Sequence, residues 1–274
     1  MNSIKASGFI SRLRGIPRGI GILAVSVTLL LVIGMTATVM GSHNDPADAV
    51  TIPFSASEIR IEVNSTDGDA GLQIFLDGEP WRRARVKGPD NKTVFSVTNI
   101  GKLKMLGSTE LFMESNEPNF VEDMSLPEIL EFLPVGVYEF KGRTIEGDVL
   151  EGAATLTHDL PCGPEIISPA EDSALDPGLP VVISWEAVTN KLDTGSDVGV
   201  CDAGSDITII GYEVVVDNEN TDPLERFTIR LPADATEVTV PEEFIVPGTE
   251  YKFEILAIEV SGNQTITESF FTTF

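Results

Sequence analysis

The stretch that most constrains this chain runs from Pro247 to Ile258. Tyr251, Phe253, Ile255 and Ala257 alternate there with Lys252 and Glu254. A period of two belongs to a β-strand with one face buried and the other wet. The Pro247-Gly248 pair just ahead reads as the turn that delivers the chain into that strand. The same alternation recurs at Ser57–Val63, where Ile59, Ile61 and Val63 oppose Glu58, Arg60 and Glu62. We therefore expect a mostly β protein.

From Ser57 to Leu160 the pattern predicts a β-rich domain with one short helix. Strands are expected at 72–76, 82–86 and 93–97, the last two joined by a turn at Gly88-Pro-Asp-Asn91. Residues 102–113 read as one or two more strands, and strands resume at 137–143 and 153–157. Ser125 and Glu128 form a capping-box pair ahead of Leu126, Ile129, Leu130 and Leu133, which recur at helical spacing until Pro134-Val-Gly136. Residues 43–56 read as a tether, and Pro161-Cys-Gly-Pro164 as a stiff joint between domains 57–160 and 161–274.

Beyond that joint the residues follow a familiar order. Pro164–Pro169 reads as a first strand, and Val181-Val-Ile-Ser-Trp185 as a second with a core Trp. Ile209–Val214 follows as a third, Ile245–Tyr251 as a corner with a Tyr at the strand entrance, and Phe270–Phe274 as the end of the last strand. Together they resemble a fibronectin type III domain over about residues 164–274, which implies an immunoglobulin-like β-sandwich with a tyrosine corner. The expected architecture is two β-sandwich-like domains in tandem. The chain departs from the resemblance at 187–206, where the loop between the second and third strands is unusually long. In that topology the loop and the entry to the first strand share one pole, so Cys162 and Cys201 are expected to meet. The alternative is two unpaired thiols. A disulfide there stabilises the fold by restricting the unfolded chain.

Charge bounds the partners. The chain carries 18 basic and 43 acidic residues, and four of the basic ones fall in residues 1–42, which hold no acid. The remaining 232 residues are strongly acidic and repel nucleic acid phosphates and anionic headgroups, so no nucleic acid partner is expected, and a membrane is expected only through the N-terminal segment if it stays uncleaved. The basic group Lys5, Arg12, Arg14 and Arg18 precedes an uncharged run from Gly19 to Ser42. This is the pattern of a signal peptide or signal anchor, with residues 1–42 either cleaved or spanning a bilayer. Basic residues ahead of the run direct the body out of the cytoplasm. The expected location is the periplasm, the cell surface, or the outer side of a membrane, where two cysteines suit a disulfide.

Three groups are candidates for chemistry. Asp67 and Asp69, and the series Asp193, Asp197, Asp202 and Asp206 interleaved with glycines, supply oxygens of the kind calcium takes. Neither loop has ordered ligand spacing, and Asp and Gly also make ordinary turns. Trp81 with Arg83 and Arg85 is a candidate contact for a sugar or acidic partner; a strand balancing its acidic neighbours is the plainer reading. Glu110, Glu114, Glu117, Glu122 and Asp123 form an acidic stretch that can serve catalysis only if its carboxylates converge. No nucleophile elbow, phosphate loop or metalloprotease motif is present in the sequence, and His43 and His158 are its two histidines. We therefore expect a non-enzymatic, exported binding or scaffold protein, with a protein partner or surface glycan and no cofactor unless calcium. The alternative is a carbohydrate-binding or carbohydrate-active protein with its site in 57–160. The binding form requires Trp81 to share an exposed face with an aromatic such as Phe120 or Tyr138, and the enzyme form requires at least two of Glu110, Glu114, Glu117 and His158 to converge in one pocket.

Overall fold

The computed structural model describes residues 49–274. The apolar run expected as a signal or anchor helix lies outside the described residues. Among these, no helix is long and apolar enough to cross a membrane.

The first lobe contains β1 (Thr51–Pro53), β2 (Ala56–Asn64), β3 (Asp69–Lys87), β4 (Thr93–Thr98), α1 (Leu103–Leu106), β5 (Ser108–Glu114), α2 (Leu126–Glu131), β6 (Gly136–Thr144) and β7 (Val149–Leu156). The strands expected at 72–76 and 82–86 are a single strand of 19 residues. It bends between Asp77 and Trp81, so its first half pairs with β2 and β5 and its second with β4 and β6. This bend folds one strand across both faces of the core, which Ile61, Ile74, Leu76, Trp81, Val86, Tyr138 and Phe140 fill. The stretch 102–113 differs from expectation, since a short helical turn, α1, precedes β5. At α2 the Glu128 carboxylate accepts hydrogen bonds from the Ser125 N–H (3.0 Å) and hydroxyl (2.7 Å), and Leu126, Ile129 and Leu130 face the core.

The second lobe contains β8 (Ile166–Ser168), β9 (Ser173–Leu175), β10 (Val182–Trp185), β11 (Asn190–Leu192), β12 (Cys201–Asp206), β13 (Ile209–Asn218), β14 (Glu225–Pro232), β15 (Glu237–Thr239), β16 (Glu250–Glu259) and β17 (Gln264–Thr273). β8, β10 and β15 form one sheet, and β14, β13, β16 and β17 run side by side in the other. This is the sandwich that the resemblance to fibronectin type III implies. Trp185 packs on Tyr212 at 5.2 Å between ring centroids, and Tyr251 stacks on Phe271 at 5.0 Å. Tyr251 is a tyrosine corner: its hydroxyl donates to Phe244 O (3.0 Å) and accepts from Val246 N (2.7 Å). Tyr251→Phe keeps the ring and orphans both backbone groups, so it should cost about 1–2 kcal/mol. An unshifted urea midpoint for that variant would mean the corner contributes nothing.

The two lobes are stitched together. β17 adds to β2 in parallel, with Gln264, Thr265 and Ile266 opposite Glu62, Val63 and Asn64, so one sheet runs through both. Asn263, fully buried just before β17, accepts from Ile61 N (2.9 Å) and donates to Thr157 O and Asp159 O (3.1 Å each). Both edge strands thereby satisfy backbone groups that would otherwise be unpaired. The long 187–206 loop supplies a second stitch. It folds into the β11–β12 hairpin and inserts Leu192 into the first lobe's core. Its Asp197 O accepts from Leu126 N at the start of α2 (3.0 Å). Gly199, at φ +62°, lets the hairpin tip rest against Leu126 and Phe120. Cys162 and Cys201 form the disulfide that ties the hairpin to the joint.

Candidate functional site

Three carboxylates converge beside the parallel ladder. Glu62 on β2, Glu114 at the end of β5 and Glu117 in the following loop place oxygens within 4.8 Å of one another. β2, β3 and β5 lie side by side in register, which brings residues distant in sequence together. Gly71, opposite Glu62 on β3, makes the room: a Cβ there would meet Glu117 Cγ at 2.7 Å. The polar partners are shared. Gln73 donates to Glu114 (2.9 Å) and accepts from Arg60 Nε (2.7 Å), while Gln264 of β17 donates to Glu62.

Glu62 is 7 % exposed, and burial pushes its carboxyl up to about 7, with the Glu114 charge acting in the same direction. The hydrogen bond from Gln264 and the Arg60 charge oppose that rise and are outweighed. The folded state thus holds the proton more tightly than the unfolded chain does. Stability from this group is fully present below pH ~4.5 and is lost as pH rises through ~7. A rise from 4.5 to about 7 corresponds to about 3 kcal/mol at pH 8. Glu62→Gln should therefore match the parent at pH 4 and exceed it by about that amount at pH 8. A difference that does not change with pH would contradict this placement of Glu62. Three close oxygens can share a proton or join in holding a hard cation.

Of the groups an enzyme reading needs to converge, Glu114 and Glu117 meet. Glu110 sits elsewhere, opposite Asp77, and His158 Nε2 is hydrogen-bonded to Leu133 O (2.7 Å). Glu122 is exposed, and Asp123 accepts from Asn119 N (3.1 Å). Of the calcium candidates, Asp67, Asp193 and Asp197 lie in loops and Asp69, Asp202 and Asp206 on strands. Asp193 and Asp202 accept from Gly195 N (2.9 Å) and Gly204 N (3.0 Å), Asp67 accepts from the Asn64 amide (3.1 Å), and Asp69 bridges to Asn119. Asp206 pairs with Asn190 across the hairpin. Among the described residues, the metal-ligating side chains that converge in threes are Glu62, Glu114 and Glu117 and none of these six aspartates.

Trp81 is not a surface platform. It is 1 % exposed, and Phe120 and Tyr138 are buried with it, so the exposed aromatic face that a sugar-binding site requires does not form from these residues. The cause is an irregularity in register between Trp81 and Arg83, which turns Arg82 and Arg83 both outward while Trp81 and Ala84 point in. Arg83 and Arg85 stay exposed. Arg83, with Arg82, Lys104 and Arg143, lines a cleft of about 550 Å³ whose rim also holds Ala49, Glu146 and Asp148.

No family model and no curated protein matches the chain. Solved structures similar to it include the FN1–FN3 domains of chicken CNTN1, at 13 % identity and TM-score 0.29, covering 82 % of this chain and 68 % of that one. A two-domain fibronectin type III segment of chicken tenascin is 10 % identical at TM-score 0.26, covering 79 % of this chain and 97 % of that one. A myokine structure is 14 % identical at TM-score 0.26, covering 42 % and 97 %.

Proposed function

We propose that the chain is an exported, non-enzymatic binding or scaffold protein of the cell envelope, with its fibronectin type III-like lobe as a stiff spacer or protein-interaction platform. One observation carries this reading: β17 continues the first lobe's sheet, and a disulfide-held hairpin packs on the first lobe's core. Such a pair of stitches removes hinge freedom and fixes the distance between the two ends, which suits a spacer. Export is supported by the basic, then uncharged, N-terminal sequence and by a disulfide of the kind oxidising compartments sustain. The carbohydrate-binding form of the alternative has lost the exposed aromatics it needed.

The test is the intact mass of the protein from its native host, with its partition between fractions. A membrane-bound full-length chain, or an exported soluble species beginning near Ser42, supports the reading. A full-length species in the cytosol with reduced cysteines ends it.

A further inference from the structure

We propose that the pole of the first lobe farthest from the spacer is a docking surface for a membrane bearing anionic headgroups. Three independent features meet there.

The first is charge segregation. Of the 14 basic residues described, Arg60, Lys92, Lys141, Lys191, Arg226, Arg230 and Lys252 pair with carboxylates within 4.0 Å. The other seven make no ion pair among the described residues: Arg82, Arg83, Lys102, Lys104 and Arg143 lie in or beside the cleft, and Arg85 and Lys87 lie farther along β3. Arg83 and Arg143 stand directly opposite each other across the β3–β6 ladder, where like charges destabilise. With Arg82 and Lys104 they line the cleft, facing two acids on its rim, Glu146 and Asp148. Asp148 accepts from Val50 N (3.0 Å).

The second is apolar exposure. Ile100, Leu103, Met105 and Leu106 are 53–79 % exposed and flank Lys102 and Lys104. This segment is held in place from beneath: Asn99 donates to Trp81 O (2.7 Å) and accepts from the Ser108 hydroxyl (3.1 Å). Exposed apolar side chains interleaved with lysines match the boundary between headgroups and acyl chains.

The third is where the chain enters. Ala49 lines the same cleft and lies seven residues after Ser42, where the uncharged run ends. Seven residues reach at most about 25 Å. β2 leaves from this pole and runs its nine residues, about 30 Å, to the junction with β17. Docking by this pole therefore points the spacer away from the bilayer. The acidic remainder is repelled by the same surface, which reinforces that orientation at separations within a Debye length, about 8–10 Å.

The proposal rests on the anchored form of the function above. The full chain is reconstituted in phosphatidylcholine vesicles with and without phosphatidylglycerol, using lipids brominated on the acyl chains. Leu103→Trp provides the probe and Val246→Trp, at the far end of the spacer, the control; Trp81 and Trp185 are each 1 % exposed and give a constant background. Strong quenching of Leu103→Trp in the anionic vesicles, absent at Val246→Trp and lost on adding Arg83→Glu and Lys104→Glu, supports the proposal. The same reversal at Arg85, which is exposed but outside the cleft, should leave most of the quenching in place. Quenching no greater than the control, or indifferent to the Arg83/Lys104 reversal, overturns it. So does a dimer in detergent that Leu103→Ser with Met105→Ser abolishes, which would assign the face to a second copy. A chain that fails to float with the vesicles fails the anchor reading, whereas one that floats unquenched fails only this proposal.

Discussion

Trp81→Ala should lower the unfolding free energy by about 3–5 kcal/mol, the cost of emptying an indole-sized volume in a packed core. Trp81 closes the bend where β3 passes from one face of the first lobe to the other, and its backbone carbonyl receives the Asn99 amide. The cavity would open beneath the cleft and the α1 segment together. Trp81→Phe should cost far less, under about 1.5 kcal/mol, because the indole N–H meets no acceptor among the described residues. Urea unfolding separates the cases: the midpoint should fall with the slope unchanged. An alanine variant as stable as the parent would mean the ring is at the surface after all.

The second large effect is expected at the joint. Replacing Cys162 and Cys201 together by Ser should destabilise the protein by about 4 kcal/mol, since the bridge closes a separation of 39 residues. The value exceeds that of a short surface loop for a structural reason as well. The bridge presses the β11–β12 hairpin onto the first lobe, where Leu192 is 5 % exposed and Asp197 O caps α2. Freed of the bridge, the hairpin has Lys191–Asp159 (2.8 Å) and the Cys162–Asn190 backbone bond among its remaining ties. A double variant within about 1 kcal/mol of the parent would show that the hairpin holds the lobes without the disulfide.

Much of the second lobe could be read from sequence because its signals are local. Alternation across Tyr251–Ala257, a Pro-Gly turn and a Tyr at the strand entrance specify a corner without any distant partner. The capping pair Ser125 and Glu128 was legible for the same reason, being three residues apart. Trp81 was not. A strict period of two places it with Arg83 and Arg85, and a single register irregularity moves it to the opposite face. The α1 segment misled in another way: apolar residues at 103, 105 and 106 suggest a strand that buries them, yet they remain exposed. Glu62 followed the wet face of its alternation, and β17 covered that face. The cluster with Glu114 and Glu117 depends on pairings between segments far apart in the chain, and the burial of one strand by another domain's edge leaves no local mark. An isolated glycine at 71, opposite a carboxylate, was the nearest thing to a signal.

The β17–β2 ladder and the bridged hairpin make the two lobes one rigid body. Scanning calorimetry of the full chain tests it most directly. One transition, with calorimetric and van't Hoff enthalpies equal, is the predicted result. Two resolved transitions, one surviving when the other lobe has melted, would contradict it and return the protein to two modules on a flexible joint.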